Sequence, residues 1–381
     1  MTAGIVCEYN PFHLGHEKQL RQVRQALGPD AAIVCLMSGS YVQRGEPAIF
    51  GAAVRAAAAV DCGASLVLEL PVTVCLRSAE GFASGAVEIF SGLGCADTLA
   101  FGCECGSGGA ILRAAQALET EEYRALLKKQ LSGGIAYPAA RERALAALTG
   151  DGSTLQNPND ILAVEYSRAL LKTDIRPLAL RREGDYRSRT PDPDNPSAAA
   201  VRALVPDGAW QALVPPAAAA RYRQARVHRL SCGERAMLAR LRGLDGPDWE
   251  AAAHGSEGLW SKVRKAALTE TSVEGILQAA KSKRYPRTRL QRLLLCAYLG
   301  IGAGTLAAPP PYVRALAFDG AGRAILKKIR ETGGLPVVNA GQTPPDAAYF
   351  ALERRCAALY GLFAEGEPES AETGRIYLKT L

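Results

Sequence analysis

The chain has no long unbroken apolar run. Its longest uncharged stretch, Leu293 to Val313, is interrupted by Gly300, Gly302 and Gly304 and then by Pro309-Pro310-Pro311. That is too broken for the roughly 20 apolar residues of a spanning helix. It reads as a buried helix followed by a loop, and no membrane partner is expected. Met1 leads directly into an apolar run with no basic segment ahead of it, so no signal peptide is expected. Cys-x-x-Cys is absent. The ten cysteines are scattered, mostly inside apolar runs such as Ile33-Val34-Cys35-Leu36 and Val72-Thr73-Val74-Cys75. They read as packed, reduced thiols of a cytoplasmic protein, not as a disulfide framework. The closest pair, Cys103-x-Cys105, lacks the second pair a zinc site needs, so no metal ligands are expected. No internal repeat is evident.

What is present is an ordinary globular composition: 381 residues, 48% hydrophobic and 22% charged. That length accommodates two or three domains, each with a core of its own. Charge is unevenly placed. Residues 221–292 hold 16 basic and 7 acidic side chains, whereas the whole chain carries a net charge of only +7. A basic region on a nearly neutral body points to a polyanion partner for that region.

From residue 3 to about 102, short apolar runs alternate with helical segments. The runs are Ile5-Val6-Cys7, Ala32–Met37, Ser65–Leu70 and Thr98–Phe101, and the helices Glu17–Leu27, Gly51–Asp61 and Ala79–Leu93 lie between them. Such alternation predicts right-handed βαβ units in a parallel sheet, with ligand beyond the C-terminal ends of the strands. The polar motifs fall at those ends. After the first run come Glu8-Tyr9-Asn10-Pro11-Phe12 and then His13-Leu14-Gly15-His16-Glu17-Lys18-Gln19, a strand, a tight turn and a helix start. Unpartnered N–H groups and the dipole at a helix N-terminus suit phosphate. Gly15 leaves room for a base or ribose, and imidazoles at i and i+3 can donate hydrogen bonds to phosphate oxygens. Two blander readings stand beside this one: zinc ligation by His13 and His16, and histidines that only cap and pack.

Further along, Arg44 sits between Gly39 and Gly45 in the loop after the second run, and Gly102 follows the fourth. Asn157-Pro158-Asn159-Asp160 opens a helix to Leu171, where capping alone would explain the asparagines. A last strand, Arg176–Leu180, delivers Arg181 and Arg182, and Asn195-Pro196-Ser197 precedes Arg202. Residues 107–149 read as helical, with Glu119, Glu121 and Glu122 on a solvated face. Beyond about 205 the alternation stops and segments 215–242, 258–280 and 287–302 read as helices. The densest basic string is Lys281-Ser282-Lys283-Arg284-Tyr285-Pro286-Arg287-Thr288-Arg289-Leu290-Gln291-Arg292. Cations with an interleaved aromatic are what phosphate contact and base stacking require. A solvated helix start is the alternative.

His13-x-Gly15-His16 after an apolar strand resembles the HxGH signature of the nucleotidyltransferase superfamily. The longer Glu8–His13 string, the Arg44 and Gly102 loops, the Asn157–Leu162 segment and the Lys281–Arg292 string resemble the bacterial tRNA(Met) cytidine acetate ligases. The resemblance implies an α/β fold: a Rossmann-like, parallel-sheet ATP-binding domain over residues 1–205, then a mainly helical, basic tRNA-binding domain over 206–381. A small α/β appendage is expected from Tyr312 to Val338. It also implies that ATP is held along Val6–Gln19, by Gly102, by Asn157 or Asn159, by Arg181 or Arg182, and by Ser197 and Arg202. Pro196 and Ala199 stand where the family usually has hydroxyls.

His13, His16 and Arg44 would carry catalysis, and magnesium is expected with the ATP. Lys281, Lys283, Arg284, Tyr285, Arg287, Arg289 and Arg292 would contact elongator tRNA(Met). The implied reaction activates acetate as acetyl-adenylate and acetylates the wobble cytidine to N4-acetylcytidine. Two other classes are a nucleotidyltransferase acting on a small molecule and a non-catalytic RNA-binding protein with a degenerate nucleotide pocket.

Overall fold

A computed structural model of the chain describes residues 1–182, 192–282, 284–370 and 377–379. The apolar runs form strands: β1 Thr2–Cys7, β2 Ala32–Ser38, β5 Leu66–Leu70, β6 Thr98–Cys103 and β7 Arg176–Arg181. A two-residue ribbon, β3 Tyr41–Val42 with β4 Glu46–Pro47, projects after β2. The five long strands pair in parallel in the order β5-β2-β1-β6-β7. The order reverses at β1, so the ligand crevice of such a sheet falls at its C-terminal end.

Both faces of the sheet are covered, and the strands feed them alternately. Val34 and Leu36 of β2, with Leu66 and Leu68 of β5, pack against Phe82, Val87 and Phe90 of helix Ala79–Leu93 and against Ala163 and Val164 of helix Pro158–Leu170. Ile33, Cys35 and Met37 point the other way, toward Leu20 and Val23 of helix Leu14–Leu27 and Ala56, Ala59 and Val60 of helix Ala52–Asp61.

The C-terminal segment expected as a small appendage belongs to this same sheet. Strand β8, Val313–Phe318, runs antiparallel beside β5, and β9, Val337–Val338, and β10, Tyr377–Leu378, both pair with β8. Helix Gly320–Thr332 drops Ile325, Leu326 and Ile329 into the core shared with Leu66 and Leu68.

From Ala198 to β8 the described residues are mainly helical, but each long segment read from sequence is divided or shortened. Residues 215–242 form Pro216–Tyr222 and Leu230–Gly243, separated where the His228 N–H donates to the Ile49 carbonyl. Residues 258–280 form Leu259–Thr269 and Val273–Ala280, the second begun by the Ser272 hydroxyl accepting from the Gly275 N–H. Helix Arg287–Leu299 ends at Gly300, whose φ of 67° suits glycine. With helix Ala347–Gly361 these elements enclose a second core around Trp249, Leu290, Leu294, Tyr298 and Phe363. Among the described residues, no helix is long and apolar enough to cross a membrane.

Candidate active site

The loop leaving β1 is over-determined. Glu8 Oε1 accepts from the Gln43 N–H at 2.9 Å and Asn10 Oδ1 from the Ile49 N–H at 2.7 Å. The Asn10 carbonyl accepts from Arg202 Nη1 at 2.7 Å, and the Phe12 N–H donates to the Tyr222 hydroxyl at 3.0 Å. Tyr9, with φ of 44°, and Phe12 are buried in the core below. They anchor the loop, together with buried Pro11 and partly covered Val6 and Cys7. Burial pushes the Cys7 thiol well up, so it stays protonated.

A residue that sequence reading missed ties this loop to β2. The fully buried Arg55 guanidinium donates to the carbonyls of Glu8 (2.5 Å), Ser38 (3.1 Å), Phe50 (2.8 Å) and Gly39. Among the described residues no carboxylate pairs with it. The available signal was a single charge inside the alanine-rich Gly51–Val60 segment.

The two histidines sit at the helix start with their tautomers fixed. His13 is the N-cap, its Nδ1 accepting from the Gly15 N–H at 3.1 Å, while His16 Nδ1 accepts from the His13 N–H at 3.3 Å. Each proton therefore belongs on Nε2. The rings stack with centroids 3.7 Å apart. Burial, then Arg182 and Arg202, hold His13 down at about 3, and burial, His13 and Arg182 hold His16 well below its ordinary value. Both are neutral N–H donors at physiological pH. Gly15 lets the His13 ring lie close against the helix start: a Cβ there would stand 3.0 Å from His13 Cε1, and the ring would have to shift by a few tenths of an ångström.

An open pocket beside them is lined by Gly15, His16, Lys18, Gln19, Gly102, Arg181, Arg182 and Asn195, among others. Lys18 Nζ donates to Asn195 Oδ1 at 3.3 Å, and Leu14 and Glu17 complete the first turn, with Glu17 paired to Arg21 at 3.1 Å. At Gly102 a Cβ would stand 2.8 Å from the Arg182 side chain, so the bare glycine is what lets Arg182 lie across the end of β6. Arg181 lies over Gly106 instead. Asn159 Nδ2 donates to Glu104 Oε1 at 2.5 Å, while Asn157 holds the N-cap position without a side-chain cap bond. Capping, then, does not account for Asn157. Ser197 does cap its short helix, accepting from the Ala200 N–H at 3.0 Å. Arg44 is exposed at the tip of the β3–β4 ribbon.

The basic string is divided by the fold. Lys281 and Arg284 are exposed, and Lys283 lies outside the described residues. The Arg284 and Arg289 guanidinium groups flank the Tyr285 ring, 5.5 and 4.9 Å from its centroid. Arg284 also pairs with Glu257 at 3.2 Å. Arg287 grips Glu274 with two bonds, 2.8 and 2.5 Å, and holds that carboxyl down at about 2. Arg289 donates to the His254 carbonyl and to the Ser256 hydroxyl, bracing that turn. Arg292, expected on the RNA-binding face, is inside: it is 8% exposed, burial lowers its pKa, and its Nε finds no partner among the described residues. The reason is that helix Arg287–Leu299 is buried on every side from Leu290 onward.

The chain can be set against known proteins. A family model described as HIGH Nucleotidyl Transferase matches residues 1–374. The tRNA(Met) cytidine acetate ligase of Acetivibrio thermocellus is 32% identical over 365 residues, covering 88% of this chain and 87% of that one. The protein of the same name from Syntrophotalea carbinolica is 37% identical over 356 residues, covering 88% and 84%. Among solved structures, Thermotoga maritima TmcAL bound with alpha-thio ATP matches with a TM-score of 0.88 at 28% identity over 100% of both chains.

Proposed function

The chain belongs to the HIGH nucleotidyl transferase family and is an enzyme of the tRNA(Met) cytidine acetate ligase type, and from that premise we propose how its residues divide the reaction. Acetate oxygen attacks the α-phosphorus of ATP, pyrophosphate leaves, and acetyl-adenylate forms. The exocyclic amine of the wobble cytidine of elongator tRNA(Met) then attacks the acetyl carbonyl, AMP leaves, and the amine gives up a proton as N4-acetylcytidine forms.

Both reactants are sluggish on their own. A carboxylate is a poor electrophile and a ring-conjugated amine a poor nucleophile, so AMP supplies the leaving group, and no enzyme thiol or hydroxyl needs to be acylated. The observation that carries the reading is the pair of neutral imidazoles whose Nδ1 atoms are taken by backbone N–H groups. Their Nε2–H groups can donate to phosphate as charge grows on the departing pyrophosphate, with no proton transfer required. Arg182 across Gly102 supports phosphate binding, and Asn157 is available for the nucleoside. Exposed Arg44 would close on phosphate or carboxylate from the ribbon.

Magnesium finds no carboxylate cage among the described residues. Among the described residues the one group of three or more His, Cys, Asp or Glu side chains close enough to share a metal is Cys103, Cys105 and Asp160, a thiol-rich set unsuited to that ion. Magnesium would arrive on the ATP phosphates.

The test uses labelled acetate and ATP, with and without tRNA. Acetate-dependent pyrophosphate release and transfer of label to cytidine are expected. ADP as product would mean γ-phosphoryl transfer and would overturn the reading, and label confined to a small molecule would remove the RNA step.

A further inference from the structure

The sequence lacks a second cysteine pair to complete Cys103-x-Cys105, but the fold brings up a different third donor. Asp160, in the first turn of helix Pro158–Leu170, stands beside the end of β6, and one donor atom from each of Cys103, Cys105 and Asp160 falls within 4.8 Å of the others. We infer that this cluster is a binding site for one thiophilic divalent cation of zinc's class.

Three features support it. Asp160 is only 1% exposed, and among the described residues no lysine, arginine or histidine pairs with it. Its oxygens take the N–H groups of Glu104 at 2.7 Å and Cys105 at 3.1 and 3.2 Å. Two N–H donors leave acceptor positions open on a carboxylate that has about four. The thiols engage chiefly the cluster itself: Cys105, an exposed residue, hydrogen-bonds with Cys103 and Asp160, Cys103 meets the Gly106 backbone, and the Cys105 contact to the Ser107 carbonyl is 3.8 Å long. Cys103 is buried and Cys105 faces solvent, which gives the ion an inner ligand and an entry path.

Two thiolates and a carboxylate with water in the fourth place make a zinc-type tetrahedron. On binding, each thiol releases its proton to solvent. A bound ion would stiffen the Gly102–Gly106 turn on which Arg181 and Arg182 rest. The inference does not depend on the identity of the reaction.

The full chain, stripped with a chelator and kept reduced, is titrated with Cd2+ alone and with Zn2+ alone. One equivalent of Cd2+ should produce thiolate-to-metal charge-transfer absorption, and Zn2+ should abolish it by competition. Cys105→Ser, at an exposed side chain, should weaken binding by more than the roughly 10–100-fold that outer-shell changes cost. Cys232→Ser, at the other exposed thiol, should leave it unchanged. No stoichiometric absorption, or absorption that survives Cys105→Ser, would overturn the site.

Discussion

The nucleotide end of the sheet and the Lys281–Arg292 string are both dense in polar groups but use them differently. At the sheet, polar side chains hold backbone: Arg55 takes four carbonyls, Arg202 takes Asn10, and Tyr222 takes the Phe12 N–H. In the string, charges hold one another, as Arg287 holds Glu274 and Arg284 holds Glu257. The first arrangement is preorganised and costs little to rearrange during reaction. The second keeps exposed cations paired with carboxylates, which the proposed polyanion would have to displace. Chemistry on a small ligand needs the former, and a long polyanion tolerates the latter.

The contrast can be broken most severely at Arg55. Arg55→Met would leave four carbonyls without their donor at about 1–3 kcal/mol for each buried unsatisfied group, so a loss above about 4 kcal/mol is expected in urea unfolding. A loss below about 1 kcal/mol would mean the loop is held by other contacts. Next is His16→Ala, which should slow adenylate formation on the order of a hundredfold, about 2.7 kcal/mol, with little change in ATP affinity. Collapsed affinity with a normal saturated rate would make His16 a ground-state ligand.

Titration gives a smaller effect. Unfolded, His13 takes up a proton near its ordinary 6.5, but folded only near 3. Its contribution to stability is complete above about 6.5 and is lost as pH falls toward 3, by about 1.4 kcal/mol one unit below 6.5. His13→Asn keeps a capping acceptor, so the wild-type advantage over it should shrink from pH 7.5 to 5.5. A constant difference would mean the folded imidazole titrates normally.

The basic string should show the gentlest changes. Replacing Lys281, Arg284 and Arg287 with Ala should leave tRNA-independent adenylate formation intact. The log–log salt dependence of tRNA binding should flatten by roughly 0.7–0.9 for each phosphate that is no longer neutralised. Arg292→Met should lower neither, because that side chain is inside. Glu274→Gln frees Arg287 and should steepen the salt dependence by the equivalent of up to about one further phosphate, at a stability cost below about 1 kcal/mol. An unchanged slope in both would move the tRNA surface elsewhere.

The sequence was most legible where one short segment contains a whole function. Residues 3–19 carry strand, turn, cap and donors in succession, and the five parallel strands follow from apolar runs alternating with helices. Contacts between distant segments were not legible. Nothing near Cys105 announces Asp160, nothing near Phe12 announces Tyr222, and nothing near Gly102 announces that Arg182 lies over it. Arg292 was misplaced for a related reason: a basic string read as a unit does not reveal that its helix is buried from Leu290 onward. The segment at Val313 was legible as a strand but not its place, since β-pairing partners are not encoded locally.

That place bears on how the protein is made. Strand β5 is buried along its whole length, with one side covered by β2 and the other by β8. During synthesis β2 is available at once, but β8 emerges only after all the helices that lie between β7 and β8. Until then β5 presents an open apolar edge of the kind that recruits other strands. A fragment ending near 205 would carry the histidines and the pocket yet keep that edge uncovered permanently. It should associate with itself, and the intervening helices must fold with both their ends destined for one sheet.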